Sequence, residues 1–228
     1  MKRTISDATE ELSAQASSHS VATNATNATN ATNADDAIVL QFYSKSKNMD
    51  DLQLNIKDWR KRLSNFWPCV IEIDGRKYPS VEHAFQAAKA RVSNKPEVAN
   101  YFECGGTVEE DAAAAKRAGN KTGFSKFDAT LDMAIWDTQR DGAMFTALKA
   151  RMSVDAEFCA ILKKTAELGA HLLHFERQGL RAYWGGTIDR ASGNIVGLNR
   201  LGKMLMELRD NVGSYHNEKD NEKDEKDP

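Results

Sequence analysis

The segment from residue 70 to residue 89 constrains the fold more than any other part of the sequence. Two short runs rich in β-branched and aromatic residues, 70–73 and 76–78, flank Asp74 and Gly75. This dipeptide favours the positive φ angles of a two-residue hairpin turn. Ser80 then follows Pro79 as the N-cap of a predicted helix. A hairpin that leads directly into a helix indicates a chain that mixes strands and helices.

The remaining pattern adds more helices than strands. Thr107 with Glu110 has the form of a capping box that opens a helix ending at Gly119. Helices are also predicted along 131–152, with Gly142 as a point of interruption, and along 155–169. A short strand is predicted at 171–175, and a last helix carries one apolar stripe of Leu198, Leu201, Leu205 and Leu208. The sequence therefore predicts a helix-rich α+β domain with a small hairpin.

The two ends of the chain differ in composition from the middle. Residues 1–36 are polar and contain an Ala-Thr-Asn repeat from 22 to 33, and residues 213–228 form an acidic tail of Asn, Glu, Lys and Asp. Such segments bury too little apolar surface to offset the entropy of ordering them. We expect a disordered N-terminal tail over 1–36, one domain over 38–212 and a disordered C-terminal tail over 213–228.

Charge and cysteine content narrow the class of protein. The formal net charge of −2 argues against bulk nucleic-acid binding through a basic surface, although it leaves room for a local basic patch. Cys69, Cys104 and Cys159 are odd in number and widely spaced, which indicates a reducing compartment. The first residues lack the apolar core of a secretory signal and no apolar run reaches membrane length, so neither a signal peptide nor a membrane span is expected. We expect a soluble, intracellular protein, cytoplasmic or nuclear.

The helix after Ser80 carries an unusual stripe of side chains. Phe85, Gln86 and Lys89 follow Glu82 at +3, +4 and +7, which places all four within an arc of roughly 100°. A solvated Glu–Lys face is the ordinary interpretation of such spacing, but Phe85 does not suit a solvent face. The helix dipole favours the ionised form of Glu82 in the first turn. An ionised carboxylate suits facing a positive charge or acting as a base better than acting as a resting general acid.

Eight short segments occur in a fixed order between residues 40 and 210. They are 42–44 (Phe-Tyr-Ser), 63–68 (Leu-Ser-Asn-Phe-Trp-Pro), 78–89, 118–119 (Ala-Gly), Trp136, 183–185 (Tyr-Trp-Gly), 199–202 (Asn-Arg-Leu-Gly) and 205–209. As an ordered set they resemble the NADAR family of YbiA-like proteins. The resemblance implies an enzyme that cleaves the N-glycosidic bonds of ribosides, without a cofactor.

Two substrate classes are implied by this resemblance. Some family members act on ribosylamino-pyrimidine intermediates of riboflavin synthesis, and others remove ADP-ribose from guanine bases in nucleic acid. We expect the second activity, with an ADP-ribose-containing substrate on nucleic acid as the partner. The alternatives are a hydrolase of the riboflavin intermediates and a module that binds ADP-ribose or NAD without turnover. No metal site is expected, because His171 and His174 have no third ligand nearby in the sequence.

The resemblance assigns the chemistry to the stripe. Glu82 would stabilise the oxocarbenium-like state that forms when the bond to ribose breaks. Lys89 would attack C1″ and form an imine with the ring-opened sugar, which requires a neutral amine. The competing role is an ammonium that pairs with Glu82 or with a phosphate.

Binding roles are implied for a wider set of residues. Trp184 with Gly185 would form a platform for a planar base, and Asn199 with Arg200 would bind a phosphate or ribose. The alternatives are a core tryptophan for Trp184, and a helix cap beside a surface arginine for Asn199 and Arg200. The full expected set comprises Ser64, Asn65, Phe66, Gln86, Gly119, Trp184, Gly185, Asn199 and Arg200, of which Ser64 and Asn65 could equally form a turn.

The sequence departs from the family pattern at two places. The family commonly has Arg after the glycine of its Gly-Arg element, whereas here Asn120 follows Gly119, with Lys121 as a substitute that lacks the arginine fork. The family also often carries a carboxylate before its Trp-Gly element. Either Glu176 or His174 stands at that position.

Overall fold

A computed structural model describes residues 38–47, 52–109 and 111–211, with the backbone of residues 31 and 32. The two predicted disordered tails otherwise lie outside these residues. Within the first of them, Ala31–Thr32 forms strand β1, antiparallel to β2 (Ile38–Phe42). The edge of β2 offers backbone donors and acceptors to this short strand. The division into two tails and one domain stays a prediction.

The described part is helix-rich and α+β, as predicted. Its helices are α1 (Trp59–Arg62), α2 (Val81–Arg91), α3 (Ala112–Ala118), α4 (Lys121–Lys126), α5 (Met133–Met152), α6 (Ala156–Glu167) and α7 (Arg200–Asp210), with 3-10 turns at Pro96–Phe102 and Gly179–Arg181. The further strands are β3 (Ile71–Ile73), β4 (Arg76–Tyr78), β5 (His171–His174), β6 (Thr187–Ile188) and β7 (Ile195–Val196). None of these helices is long and apolar enough to span a membrane.

The hairpin and the helix that follows it form as the sequence predicts. Asp74 and Gly75 have φ angles of 51° and 74°, and Ile71 pairs with Tyr78 across the turn. The Ser80 hydroxyl oxygen accepts a hydrogen bond from the His83 N–H at the start of α2. The His83 ring spans from the Ser80 hydroxyl to the Val108 carbonyl, which confines it to a structural role. The hairpin therefore delivers α2 into the core in a fixed orientation.

Strand β2 brings the two ends of the domain together. It lies parallel to β5, with Leu40 beside Leu172 and Phe42 beside His174. Helix α7 packs against β5 at Gly202, where an added Cβ would lie 2.2 Å from the Leu172 carbonyl oxygen. This contact fixes the C-terminal helix, and with it the loop after β5, against the core.

Two local predictions are wrong. The helix ending at Gly119 begins at Ala112, with Asp111 rather than Thr107 as its N-cap. Glu109 instead accepts a hydrogen bond from the Gly105 N–H at 2.8 Å. An aspartate next to an alanine run is the stronger start signal, since its carboxylate reaches the first free N–H groups. Leu198 lies before α7 and is 49% exposed, so it does not belong to the buried stripe.

Gly142 does not interrupt α5, and this makes it a site for stabilisation. It is exposed, helical, and an added Cβ would meet nothing within 4 Å. We expect Gly142→Ala to raise the free energy of unfolding by about 0.5–1 kcal/mol, because alanine loses less backbone entropy in a helix. Urea denaturation measures the change. Gly202→Ala in α7 is the matched control and should destabilise the fold; a loss of stability in Gly142→Ala would contradict the prediction.

Candidate active site

The Glu82 carboxylate is buried inside the domain rather than solvated. The residue is 4% exposed. Asn65 Nδ2 donates to its Oε2, and Gln86 Nε2 donates to its Oε1 at 2.8 Å. The Glu82 N–H donates in turn to the Asn65 carbonyl oxygen at 3.0 Å. Because two side-chain amides hold the carboxylate, its position is fixed before any substrate binds, and the solvated-face interpretation is wrong.

The turn that supplies Asn65 is held from α5. Arg151 has a fully buried side chain and donates from Nη1 to the Ser64 carbonyl oxygen at 3.0 Å. The same guanidinium donates twice to Asp155 Oδ2, at 3.0 and 2.8 Å. The Ser64 hydroxyl oxygen accepts from the Phe66 N–H at 3.2 Å. Ser64 therefore shapes a turn, the second of its two expected roles, and that turn aims Asn65 at Glu82.

Burial changes the proton affinity of Glu82. Desolvation raises the pKa of this carboxyl, while the hydrogen bond from Gln86 and the charges of Lys116 and Lys89 oppose the rise. Burial therefore acts against the expectation that the helix start keeps Glu82 ionised, because desolvation of the charged form is the largest of these effects. A carboxyl group with a raised pKa holds its proton to a higher pH than an ordinary glutamate, which suits it to acid–base chemistry.

Lys89 lies two turns further along the same face. Its Nζ donates to the Gly119 carbonyl oxygen at 2.7 Å and lies 5.6 Å from the centre of the Phe124 ring. Among the described residues, Lys89 makes no ion pair with Glu82. Burial lowers the pKa of Lys89, and the charge of Glu82 opposes this. A lowered pKa increases the fraction of neutral amine, which is the nucleophilic form.

Gly119 lies in close contact with both Lys89 and Gln86, the residue that donates to Glu82. A Cβ at this residue would lie 1.9 Å from Gln86 Oε1, so only glycine allows Gln86 its present position. That Oε1 is buried and has no hydrogen-bond partner among the described residues. Gly119 thus acts from its backbone, accepting from Lys89 and leaving room for the amide that holds Glu82.

We expect Gly119→Ala to lower kcat/KM by about tenfold or more, because the displaced Gln86 side chain can no longer donate to Glu82 and charge-assisted bonds of this kind contribute roughly 1.5–3 kcal/mol. The melting temperature should change little, since the clashing atom is the end of a flexible side chain. Steady-state kinetics and thermal denaturation check both parts. Gly142→Ala is the control at an open position. Wild-type kinetics in Gly119→Ala would remove Gln86 from the positioning of Glu82.

Aromatic rings form one wall beside this pair. Phe85 stacks edge-on against Trp184 at 5.3 Å between ring centres and packs against Trp136 at 5.1 Å. Trp184 is half-buried, so part of its ring stays open to a ligand. A planar base could stack on that open part.

The glycine after Trp184 has a different role from the one expected. A Cβ at Gly185 would lie 2.3 Å from the His174 carbonyl oxygen, so the glycine permits close packing on β5 rather than close approach of a ligand. Its N–H donates to Glu176 Oε2 at 2.9 Å. Glu176 is therefore the carboxylate that contacts the Trp-Gly element.

The start of α7 is occupied by internal contacts. Asn199 is 1% exposed; its Oδ1 accepts from the His174 N–H at 3.0 Å and its Nδ2 donates to the Leu172 carbonyl at 2.8 Å. The prediction that Asn199 binds phosphate or ribose is therefore wrong, because its side chain is used to hold α7 on β5. Arg200 pairs with Asp141, which also accepts from the Tyr183 hydroxyl at 2.7 Å. Arg200 remains partly exposed at the rim of the aromatic wall.

One residue beside the site, Lys116, escaped the sequence prediction. Lys116 on α3 is exposed, lies 5.6 Å from the centre of the Phe66 ring, and its charge acts on the pKa of both Glu82 and His174. Burial lowers the pKa of His174 to about 4, opposed by the Trp184 backbone. Asn120 caps α4 through the Gly123 N–H at 2.7 Å, which leaves exposed Lys121 as the cation after Gly119. No group of three or more His, Cys, Asp or Glu side chains within the described ranges is arranged to hold a metal ion.

Comparison with known proteins matches this chain and its fold to one family. The family model of the NADAR domain matches residues 41–213. The chain is 33% identical to the N-glycosidase YbiA of Shigella boydii over 175 residues, covering 76% of this chain and 88% of the relative. It is 32% identical to the N-glycosidase YbiA of Escherichia coli over the same shares. The NMR structure of the E. coli protein YbiA superposes with a TM-score of 0.51 at 26% identity, covering 77% of this chain and 84% of that one.

Proposed function

The chain belongs to the NADAR family, its matched relatives are N-glycosidases, and from that premise we propose that it hydrolyses the bond between ADP-ribose and a guanine base in nucleic acid. The observation that carries this proposal is the pair on α2. A buried carboxyl with a raised pKa and a half-buried amine with a lowered pKa lie on one helix face. A carboxyl and an amine whose pKa values burial shifts in these directions are typical of acid–base and nucleophilic catalysis.

The pair supports a two-stage reaction. The neutral Lys89 amine attacks C1″, and the bond from C1″ to the guanine nitrogen breaks as that nitrogen takes the proton of Glu82. The ribose ring then opens to a protonated imine on Lys89, as one of the two protons on the attached nitrogen passes to the ring oxygen and makes it a hydroxyl. Ionised Glu82 next takes a proton from water, whose oxygen adds to C1″. The proton of this new hydroxyl passes to the Lys89 nitrogen, the C–N bond breaks, and the neutral amine and ADP-ribose are released. Each of these proton transfers contributes about 10²–10⁴-fold to the rate in enzymes of this kind.

The surroundings of the pair suit a base joined to a phosphorylated sugar. The half-buried rings of Trp184 and Phe66 offer faces on which a purine can stack. Lys116 above Phe66 and Arg200 at the rim provide positive charge for a diphosphate. Arg200 keeps Asp141 as its partner in either case, but a small ribosylamino-pyrimidine would leave Lys116 without an anionic partner, which favours the ADP-ribosyl substrate.

The proposal is tested by offering three ligands to the purified protein: ADP-ribosylated guanine DNA, a ribosylamino-pyrimidine, and free ADP-ribose. Chromatographic release of ADP-ribose from the DNA supports the proposed activity. Turnover of the pyrimidine alone would show a hydrolase of riboflavin intermediates instead. Tight binding of ADP-ribose without turnover of either riboside would show a binding module and overturn the enzymatic proposal.

A further inference from the structure

The helices α3 and α4 carry a concentration of positive charge that extends beyond the pair Glu82 and Lys89. Residues 112–127 contain four cations and no acidic residue, in a chain whose formal net charge is −2. These cations, which we call the cationic face, are Lys116, Arg117, Lys121 and Lys126, and all four are exposed. Charge runs of this kind are ordinarily solvated surface, so their neighbours decide whether they bind a ligand.

The cationic face has no internal counter-charge. Among the described residues, none of the four side chains makes an ion pair or a side-chain hydrogen bond. The nearest acids along the chain are engaged elsewhere: Asp111 caps the far end of α3, and Asp128 lies 3.8 Å from Lys95. A surface with unbalanced positive charge attracts a polyanion, which releases counterions when it binds.

The face begins at the catalytic pair. Gly119, which accepts the Lys89 hydrogen bond, lies in the link between α3 and α4. Lys116 stands over the half-buried Phe66 ring and acts electrostatically on Glu82. A nucleic-acid strand with one base placed beside Glu82 would therefore have its neighbouring phosphates next to these positive charges.

An aromatic pair lies at the other end of the face. Phe127 follows Lys126 at the end of α4 and stacks on Tyr101 at 5.2 Å between ring centres. Tyr101 is 37% exposed. Cations next to partly exposed aromatic rings are typical of proteins that hold single-stranded nucleic acid, since the backbone follows the charges and bases stack on the rings.

We propose that the cationic face is the track for a single-stranded nucleic acid that carries the modified guanine. The identity of the modified base on this strand rests on the proposed function, but binding of the strand to the cationic face does not require catalysis. A single strand is favoured over a duplex, because a base must leave its stack to reach a carboxyl buried as deeply as Glu82.

The test compares the double variant Arg117→Gln/Lys126→Gln with Lys163→Gln/Lys203→Gln, which removes the same charge from exposed positions on α6 and α7. Binding of an unmodified single-stranded DNA oligonucleotide is measured by fluorescence anisotropy at several salt concentrations. We expect the first variant to bind about tenfold more weakly and to lower the salt slope by about 1.4, because two phosphate contacts at about 0.7 each on a single strand are lost. The control pair should bind like wild type.

Turnover separates this inference from the proposed function. If both hold, the first variant raises KM for ADP-ribosylated DNA and leaves the hydrolysis of ADP-ribosyl-guanosine unchanged. If the wild type and both double variants bind the oligonucleotide equally well, the cationic face is not the binding track, whatever the turnover measurements show. If the wild type hydrolyses neither substrate but the first variant alone loses oligonucleotide binding, the proposed role of the cationic face is supported and the proposed activity is rejected.

Discussion

Glu82→Gln is expected to lower kcat by about 10²–10⁴-fold, the range over which enzymes depend on a positioned acid or base. Glutamine keeps the size of the side chain. Its oxygen can still accept from Asn65, and its NH2 group can donate to the Gln86 oxygen if that amide turns over, but glutamine neither gives nor takes the proton that the leaving base and the water require. Steady-state release of ADP-ribose measures the loss. Glu72→Gln is the matched control, since Glu72 is an exposed carboxylate on the hairpin that leads into α2.

The same substitution should not weaken the fold. Burial raises the pKa of Glu82 in the folded chain, so its contribution to stability is present at pH below its unfolded value and is lost as the pH rises through the folded value. Glutamine never ionises and avoids that loss. We therefore expect the Glu82→Gln melting temperature to equal or exceed that of wild type at neutral pH. If Glu82→Gln is inactive because it is unfolded, the loss of activity gives no support for a chemical role of Glu82. If it turns over substrate at the wild-type rate, Glu82 takes no part in the reaction.

The local parts of this fold follow from the sequence because their causes are local. Asp74 and Gly75 turn the hairpin through their own backbone preferences, and Ser80 caps α2 through a bond to a residue three positions away. The stripe from Glu82 to Lys89 follows from helical geometry alone. Such features depend on residues within one turn of each other, so a single sequence predicts them.

The environment of the stripe depends on distant partners and could not be predicted in this way. Asn199 begins a helix, yet its amide is bonded to strand β5, 25 and 27 positions earlier in the chain. Arg151 fixes a turn 87 positions away. The pKa of Glu82 is set by how completely the domain covers it, which the position in a helix does not reveal. Lys116 reaches the site only because α3 packs against α2, so no spacing in the sequence links it to Glu82.

Lys89→Ala is expected to abolish covalent trapping of the sugar and to reduce turnover to the background of the remaining site. If Lys89 forms the imine, borohydride added during turnover reduces its C=N bond and leaves a stable secondary amine on the protein. Mass spectrometry should locate this adduct on the peptide that contains Lys89. Trapping should rise with pH and level off below the ordinary pKa of lysine, because burial lowers the pKa of Lys89 and the neutral amine forms earlier.

Two further variants distinguish a nucleophile from a simple cation. Lys89→Arg keeps the positive charge but cannot form the imine, so it should be as inactive as Lys89→Ala if the amine attacks C1″. Lys95→Ala is the matched control, because Lys95 likewise donates to a backbone carbonyl, that of Phe127 at 3.2 Å, outside the site. It should keep both activity and trapping. Activity retained in Lys89→Arg, without a trapped adduct in wild type, would instead assign Lys89 to charge stabilisation and leave Glu82 to activate water directly.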